Sequence, residues 1–176
     1  EGRILGFDVD DLTGVGPYSV FPRTSAVEGN QVIKLVGAPY AIEHYRAALK
    51  VVLQNKNVMS QYRAVGHPIA FAVTESLVDK AAAELDMDPV AIRRANYVPD
   101  DAYPYKTASG MAYEQLSLQQ SLDRLVEFID YEGLRREQAQ LREKGVYRGI
   151  GLGTFVEITA PGAAFYGVGG ARISAQ

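Results

Sequence analysis

From Tyr45 to Gln54 the side chains alternate, with Tyr45, Ala47, Leu49, Val51 and Leu53 sharing one side while Arg46, Lys50 and Gln54 take the other. A period of two with one charged side describes a β-strand that buries one face and wets the other, and such a strand commits the chain to a sheet covered on one side. A shorter alternation precedes it: between Ile4 and Asp10, Leu5, Phe7 and Val9 alternate with Gly6, Asp8 and Asp10, and Gly14, Gly16 and Pro17 then break the pattern. Between the two strands, Ala26 to Val36 reads as a short helix bounded by Gly37 and Pro39.

Helical periodicity takes over after Pro68, where Phe71, Thr74, Leu77, Val78, Ala81, Ala82 and Leu85 form a broad apolar stripe. Asp88 before Pro89 is an N-cap with proline at the first helical position and starts a short helix running to about Asn96. A Tyr- and Pro-containing connection spans Pro99 to Gly110. Ser117 with Gln120 has the form of a capping box, and Leu118, Leu122, Leu125 and Ile129 continue at helical spacing. Leu134 to Lys144 reads as a solvated helix, supported by Glu132 four residues before Arg136. Tyr147 to Ile158 returns to period two, with Ile150, Leu152, Thr154, Val156 and Ile158 opposite Gly149, Gly151 and Gly153, a strand whose glycine face admits a backbone or a flat ligand. The class is α+β.

Composition narrows the function. The 176 residues carry 18 Lys plus Arg against 21 Asp plus Glu, a net charge of −3, so nucleic acid is not an expected partner. Cysteine is absent, which excludes disulfides, thiolate metal sites, iron–sulfur clusters and a thiolate nucleophile on this chain. No apolar run reaches the roughly 20 residues of a membrane span, and the chain reads as soluble and cytoplasmic. It begins at Glu1 and stops at Ile173-Ser174-Ala175-Gln176, both strand-like, as expected for a piece of a longer polypeptide.

The glycines at 149, 151, 167 and 169 fit no G-x-G-x-x-G, and there is no Gly-Lys-Ser/Thr. Asp8, Asp10 and Asp11 lack the glycine and distal glutamate of a calcium loop and read as a solvated strand end. His44 and His67 form no metal-ligand spacing, and His44 reads as a loop residue. The segment Tyr62 to Pro68 is more informative. An Arg followed by small residues and a proline-started helix makes either a plain helix start or a loop that holds an anionic or oxo group.

Four segments occur in a telling order. They are Gly2 to Asp10 followed by Gly16-Pro17-Tyr18; Gln61-Tyr62-Arg63-Ala64-Val65-Gly66-His67-Pro68; Glu75 to Asn96, with Leu77-Val78-Asp79, Asp88-Pro89 and Ile92-Arg93-Arg94; and Gly149 to Gly153 through Phe155-Val156-Glu157. Together they resemble the molybdenum-binding large subunits of the xanthine dehydrogenase, aldehyde oxidase and carbon monoxide dehydrogenase group. The resemblance implies that residues 1–145 belong to a first molybdopterin-binding domain and 146–176 begin a second. It also implies hydroxylation by water at a molybdenum–pterin cofactor, with a glutamate elsewhere in the subunit as base. Electrons would leave through iron–sulfur clusters and FAD on other domains or subunits.

Carried over residue by residue, Tyr62, Arg63, Ala64 and Gly66 match the loop beside the cofactor. Val65 stands where purine-oxidising members place an aromatic residue, and an ungapped count puts Gln31 where they use a substrate-binding Arg. Losing the stacking face and the cation argues against xanthine and for an aldehyde or another N-heterocycle. Ala64 cannot hold copper as the cysteine of carbon monoxide dehydrogenases does. No catalytic residue or metal ligand is assigned to this chain, and Glu157 does not match the family's base. The 176 residues alone are expected to be inactive and free of cofactor; the implied partners are the rest of the large subunit, the iron–sulfur and flavin units and a small substrate. Two competing readings are a structural or interaction domain that keeps the fold without the chemistry, and a small-ligand module built on Tyr62 to Pro68.

Overall fold

A computed structural model describes residues 2–19, 24–60 and 62–157. Two long strands, β1 (Gly6–Val15) and β2 (His44–Leu53), pair in parallel from Gly6↔His44 to Val15↔Leu53. Parallel neighbours need a crossover, and helix α1 (Val27–Leu35) lies between them in sequence. It packs against both strands; a Cβ on Gly29 would meet Leu49 Cδ1 at 2.6 Å and Thr13 Oγ1 at 2.8 Å, so only glycine lets the helix approach this closely.

That packing corrects three readings. β1 does not break at Gly14 but continues to Val15, because Asp11 and Thr13 take the half-buried positions beneath Gly29 while Leu12 is exposed. Asp8, Asp10 and Asp11 are therefore within the strand and not at its end. Asp8 pairs with Arg46 across the ladder at 2.7 Å, and Asp11 accepts from Thr13 Oγ1 at 2.7 Å. His44 is the first residue of β2, not a loop residue.

Helix α2 (His67–Glu84) is followed by α3 (Pro89–Asn96), whose cap at Asp88 forms as the sequence predicts, its Oδ1 accepting from Val90 N at 2.8 Å and Ala91 N at 3.2 Å. The apolar stripe of α2 is displaced from expectation. Ala70, Thr74, Val78 and Ala82 are buried together with Glu75, whereas Phe71, Leu77 and Leu85 are exposed. Val78 and Ala82 join one core cluster with Tyr40, Ile42, Ile92, Tyr97, Val98 and Leu122, while Ala70 joins a second with Val32, Leu35, Val36 and Ala38.

Residues 99–117 contain a small hairpin that the sequence did not announce, β3 (Tyr105–Lys106) against β4 (Ala112–Tyr113). Helix α4 (Leu118–Phe128) starts where expected, but Ser117 makes no side-chain cap. The Asp100 carboxylate does so instead, accepting from Gln119 N at 3.1 Å and Gln120 N at 2.9 Å. Helix α5 (Tyr131–Glu143) begins ahead of the predicted Leu134, with Asp130 accepting from Gly133 N at 3.1 Å.

Residues 147–157 form no strand among the described residues, and Ile158 lies outside them. The alternation itself holds: Ile150, Leu152, Thr154 and Val156 are half-buried and the glycines between them exposed. What covers the segment is not a neighbouring strand but α2 and α3, whose side chains satisfy its backbone. The Phe71 ring lies 2.5 Å from where a Gly153 Cβ would stand, so that glycine admits a ring of this chain, while Gly149 and Gly151 face open space.

Several tyrosines are tied into this packing. Burial pushes Tyr45 up to about 12, and burial together with its bond to Asp88 Oδ2 at 2.8 Å does the same for Tyr131. Their folded values lie above the ordinary value near 10, so the unfolded chain releases these protons first as the pH rises. The stability they contribute is intact below about pH 10 and is lost between about pH 10 and 12. Urea unfolding is expected to show a lower midpoint at pH 11 than at pH 8; an unchanged midpoint would contradict the assignment.

Candidate functional site

Residues 62–66 lead into α2 through two overlapping turns, Val65 N donating to Tyr62 O at 3.2 Å and His67 N to Ala64 O at 2.7 Å. Gln61 lies outside the described residues. Tyr62 is 85% exposed, and the exposed Arg63 guanidinium joins none of the salt bridges among the described residues. Ala64 and Val65 are half-buried, and Ala64 takes φ 68°, a left-handed conformation uncommon for alanine.

Gly66 seats this loop on α1. Its φ is 75°, and a Cβ there would stand 2.8 Å from Gln31 Cβ and 2.8 Å from Glu28 O, so both the backbone conformation and the contact demand glycine. The contact brings Gln31, half-buried on α1, against Gly66, which lies far from it in the sequence. Of the residues singled out by sequence, Gly66 thus stands against Gln31, and Tyr62 to Val65 precede it in the loop. Glu157 stands apart from them in sequence, exposed at the end of the described residues.

About two turns further along α2 lies a cluster that sequence reasoning missed. Glu75 Oε1 accepts from Tyr40 OH at 2.6 Å, and Oε2 accepts from Arg93 Nε at 3.0 Å and Thr154 N at 2.9 Å. Arg93 is fully buried and spends its remaining donors on Pro89 O at 3.0 Å, Asp79 Oδ1 at 2.8 Å and Leu152 O at 2.9 Å. Tyr97 stacks on Tyr40 with ring centroids 5.4 Å apart, and its hydroxyl bonds Thr154 Oγ1. Burial works against charge on Arg93, yet Glu75 and Asp79 outweigh it and hold its pKa above the ordinary value. Burial, then the Glu75 carboxylate, pushes Tyr40 far up, so it remains a neutral donor. The visible signal is Glu75 standing beside the helical face of Ala70, Thr74, Val78 and Ala82, since a buried carboxylate demands a cation elsewhere. The cluster fastens residues 150–156 to α2.

The chain belongs to the molybdopterin cofactor-binding domain family, whose profile matches residues 1–97. It is 33% identical over 159 residues to the nicotine 6-hydroxylase large subunit of Paenarthrobacter nicotinovorans, covering 89% of this chain and 19% of that one. The aldehyde oxidoreductase of Megalodesulfovibrio gigas is 32% identical over 158 residues, 88% of this chain and 16% of its own. Among solved structures, quinoline 2-oxidoreductase from Pseudomonas putida 86 superposes with a TM-score of 0.70 at 30% identity, over 82% of this chain and 18% of that one. The chain therefore spans about a fifth of the relatives it matches.

Among the described residues no group of three His, Cys, Asp or Glu could hold a metal ion. What the loop offers is a guanidinium and a nearby carboxamide, groups that donate to oxo and phosphate oxygens. Among the described residues no helix is long and apolar enough to cross a membrane.

Proposed function

We propose that this chain forms one wall of the cofactor site in the large subunit of a molybdenum hydroxylase that oxidises an aldehyde or an N-heterocycle with water as the oxygen source. The observation that carries this is the seating of the Tyr62–Gly66 loop on Gln31 of α1. Two segments far apart in sequence, each matching a position beside the family's reacting centre, meet at one surface. In this reading residues 1–145 belong to the first molybdopterin-binding domain and residues 146–176 begin the second.

The molybdenum–pterin group supplies, when bound, the two-electron oxidation that places a water-derived oxygen on an electron-poor carbon. Arg63 presents a permanent charge and several fixed donors to the cofactor's anionic oxygens, and Tyr62, Ala64 and Gly66 shape the backbone around it. Gln31 offers a substrate one donor and one acceptor without a charge. Val65 gives a compact apolar contact in place of a stacking ring. That pair suits a neutral ring or aldehyde better than xanthine, and the names of the relatives, a nicotine hydroxylase, a quinoline oxidoreductase and an aldehyde oxidoreductase, support the same range. The general base belongs to a part of the large subunit outside this chain, and electrons pass to iron–sulfur and flavin units on partner domains or subunits.

The test is turnover of an N-heterocycle or aldehyde by the complete enzyme in water enriched in oxygen-18. The product is expected to carry the heavy oxygen. Product labelled only from dioxygen would contradict the reading.

A further inference from the structure

We propose that His67 is the positioning residue that fixes the shape of the Tyr62–Gly66 loop and so the placement of Arg63 and Val65; its catalytic consequence rests on the cofactor-wall reading above. His67 is 8% exposed, although the next two residues, Pro68 and Ile69, are exposed. Its ring Nδ1 lies 2.7 Å from Ala64 O and 3.2 Å from Val65 O. Both partners are carbonyl oxygens, which only accept, so Nδ1 carries the proton and donates.

The backbone N–H of His67 donates to the same Ala64 oxygen at 2.7 Å. One residue thus grips, with two donors, the carbonyl of the alanine held at φ 68°. Alanine pays a steric penalty in that conformation and keeps it only when its surroundings hold it there. Gly66 fixes the other flank by resting on α1. Arg63 and Val65 flank Ala64 in the chain, so their directions follow from its backbone.

The role is distinct from helix capping. In a cap a side-chain oxygen accepts from the first helical amides, whereas the His67 ring points back and donates to loop carbonyls, and the N-cap Gly66 makes no side-chain cap. His67 lines a small pocket together with Leu35, Ala38, Ala70, Thr74 and Phe155.

The experiment compares His67→Leu and His67→Asn with the unaltered complete enzyme, by hydrogen exchange of the loop amides and by steady-state kinetics. Leucine fills the space without a donor, while the asparagine carboxamide can donate to the same carbonyl. In His67→Leu the amides of residues 62–67 are expected to exchange about 10-fold faster while residues 74–82 stay protected, a local opening. Its kcat should fall about 10-fold with a smaller change in KM, as misplacement of a transition-state contact does, and His67→Asn should restore both. Unchanged loop exchange in His67→Leu, or an asparagine variant no better than leucine, would overturn the proposal. Faster loop exchange with normal turnover would support the clasp and count against the cofactor-wall reading. If His67→Leu loses protection throughout α2, His67→Asn decides alone: normal loop exchange supports the proposal, and a fast-exchanging loop above a protected helix overturns it.

Discussion

Replacing Arg93 by methionine is expected to lower the stability of the chain by about 3–5 kcal/mol, the range for removing one partner of a buried ion pair. The geometry places Arg93→Met there and not among surface substitutions, because the side chain is fully buried and four acceptors depend on it: Glu75 Oε2, Asp79 Oδ1, Pro89 O and Leu152 O. Methionine fills much of the volume but leaves the Glu75 carboxylate, 5% exposed, without its cation. The damage should be directional. Thr154 N and Leu152 O have the Glu75–Arg93 pair as partners, so amide exchange at Thr154 should accelerate more than at Val78 on the buried face of α2. Removing both charges, Glu75→Leu with Arg93→Met, should be milder than Arg93→Met alone, since no buried charge is then left unpaired. Urea unfolding checks the sizes; an Arg93→Met midpoint within about 1 kcal/mol of the unaltered chain would show that the cluster does not hold this region together.

The elements legible in the sequence were those whose pattern is complete within a few residues. β2 shows its alternation as far as Leu49 because Arg46 and Lys50 mark the wet face, although Val51 and Leu53, expected on the covered face, are exposed; the α3 start is written in Asp88-Pro89. Less legible were features whose partner is remote. β1 beyond Asp10 reads as broken because its inner positions pass to Asp11 and Thr13, tolerated only beneath Gly29 of α1. The buried face of α2 was misjudged because Glu75 is interior only through Arg93, 18 residues later. The α4 cap comes from Asp100, 19 and 20 residues before the amides it binds, which no local motif encodes. Residues 147–157 alternate as a strand should, and the sequence could not show that, among the described residues, side chains of helices bond their backbone. At the candidate site, Arg63 and the glycine were visible locally, while Gln31 came from the family resemblance and is brought to the loop by the packing of α1.

The second large effect concerns Arg63. Its guanidinium is exposed and joins no salt bridge among the described residues, on a loop whose backbone is fixed at both Ala64 and Gly66. A charged side chain carried on a fixed backbone and outside every ion pair among the described residues is suited to a ligand, and loss of such a preorganised contact lowers turnover by about 10² or more. Arg63→Lys should recover only part of this, because it keeps the charge and loses the planar fork of donors. The folding midpoint should barely move, in contrast to Arg93→Met. The deciding measurement is kcat per bound molybdenum for Arg63→Ala in the complete enzyme. A fall of about 10² or more with the fold intact is predicted; full molybdenum occupancy with near-normal turnover would show that the loop is only the start of a helix.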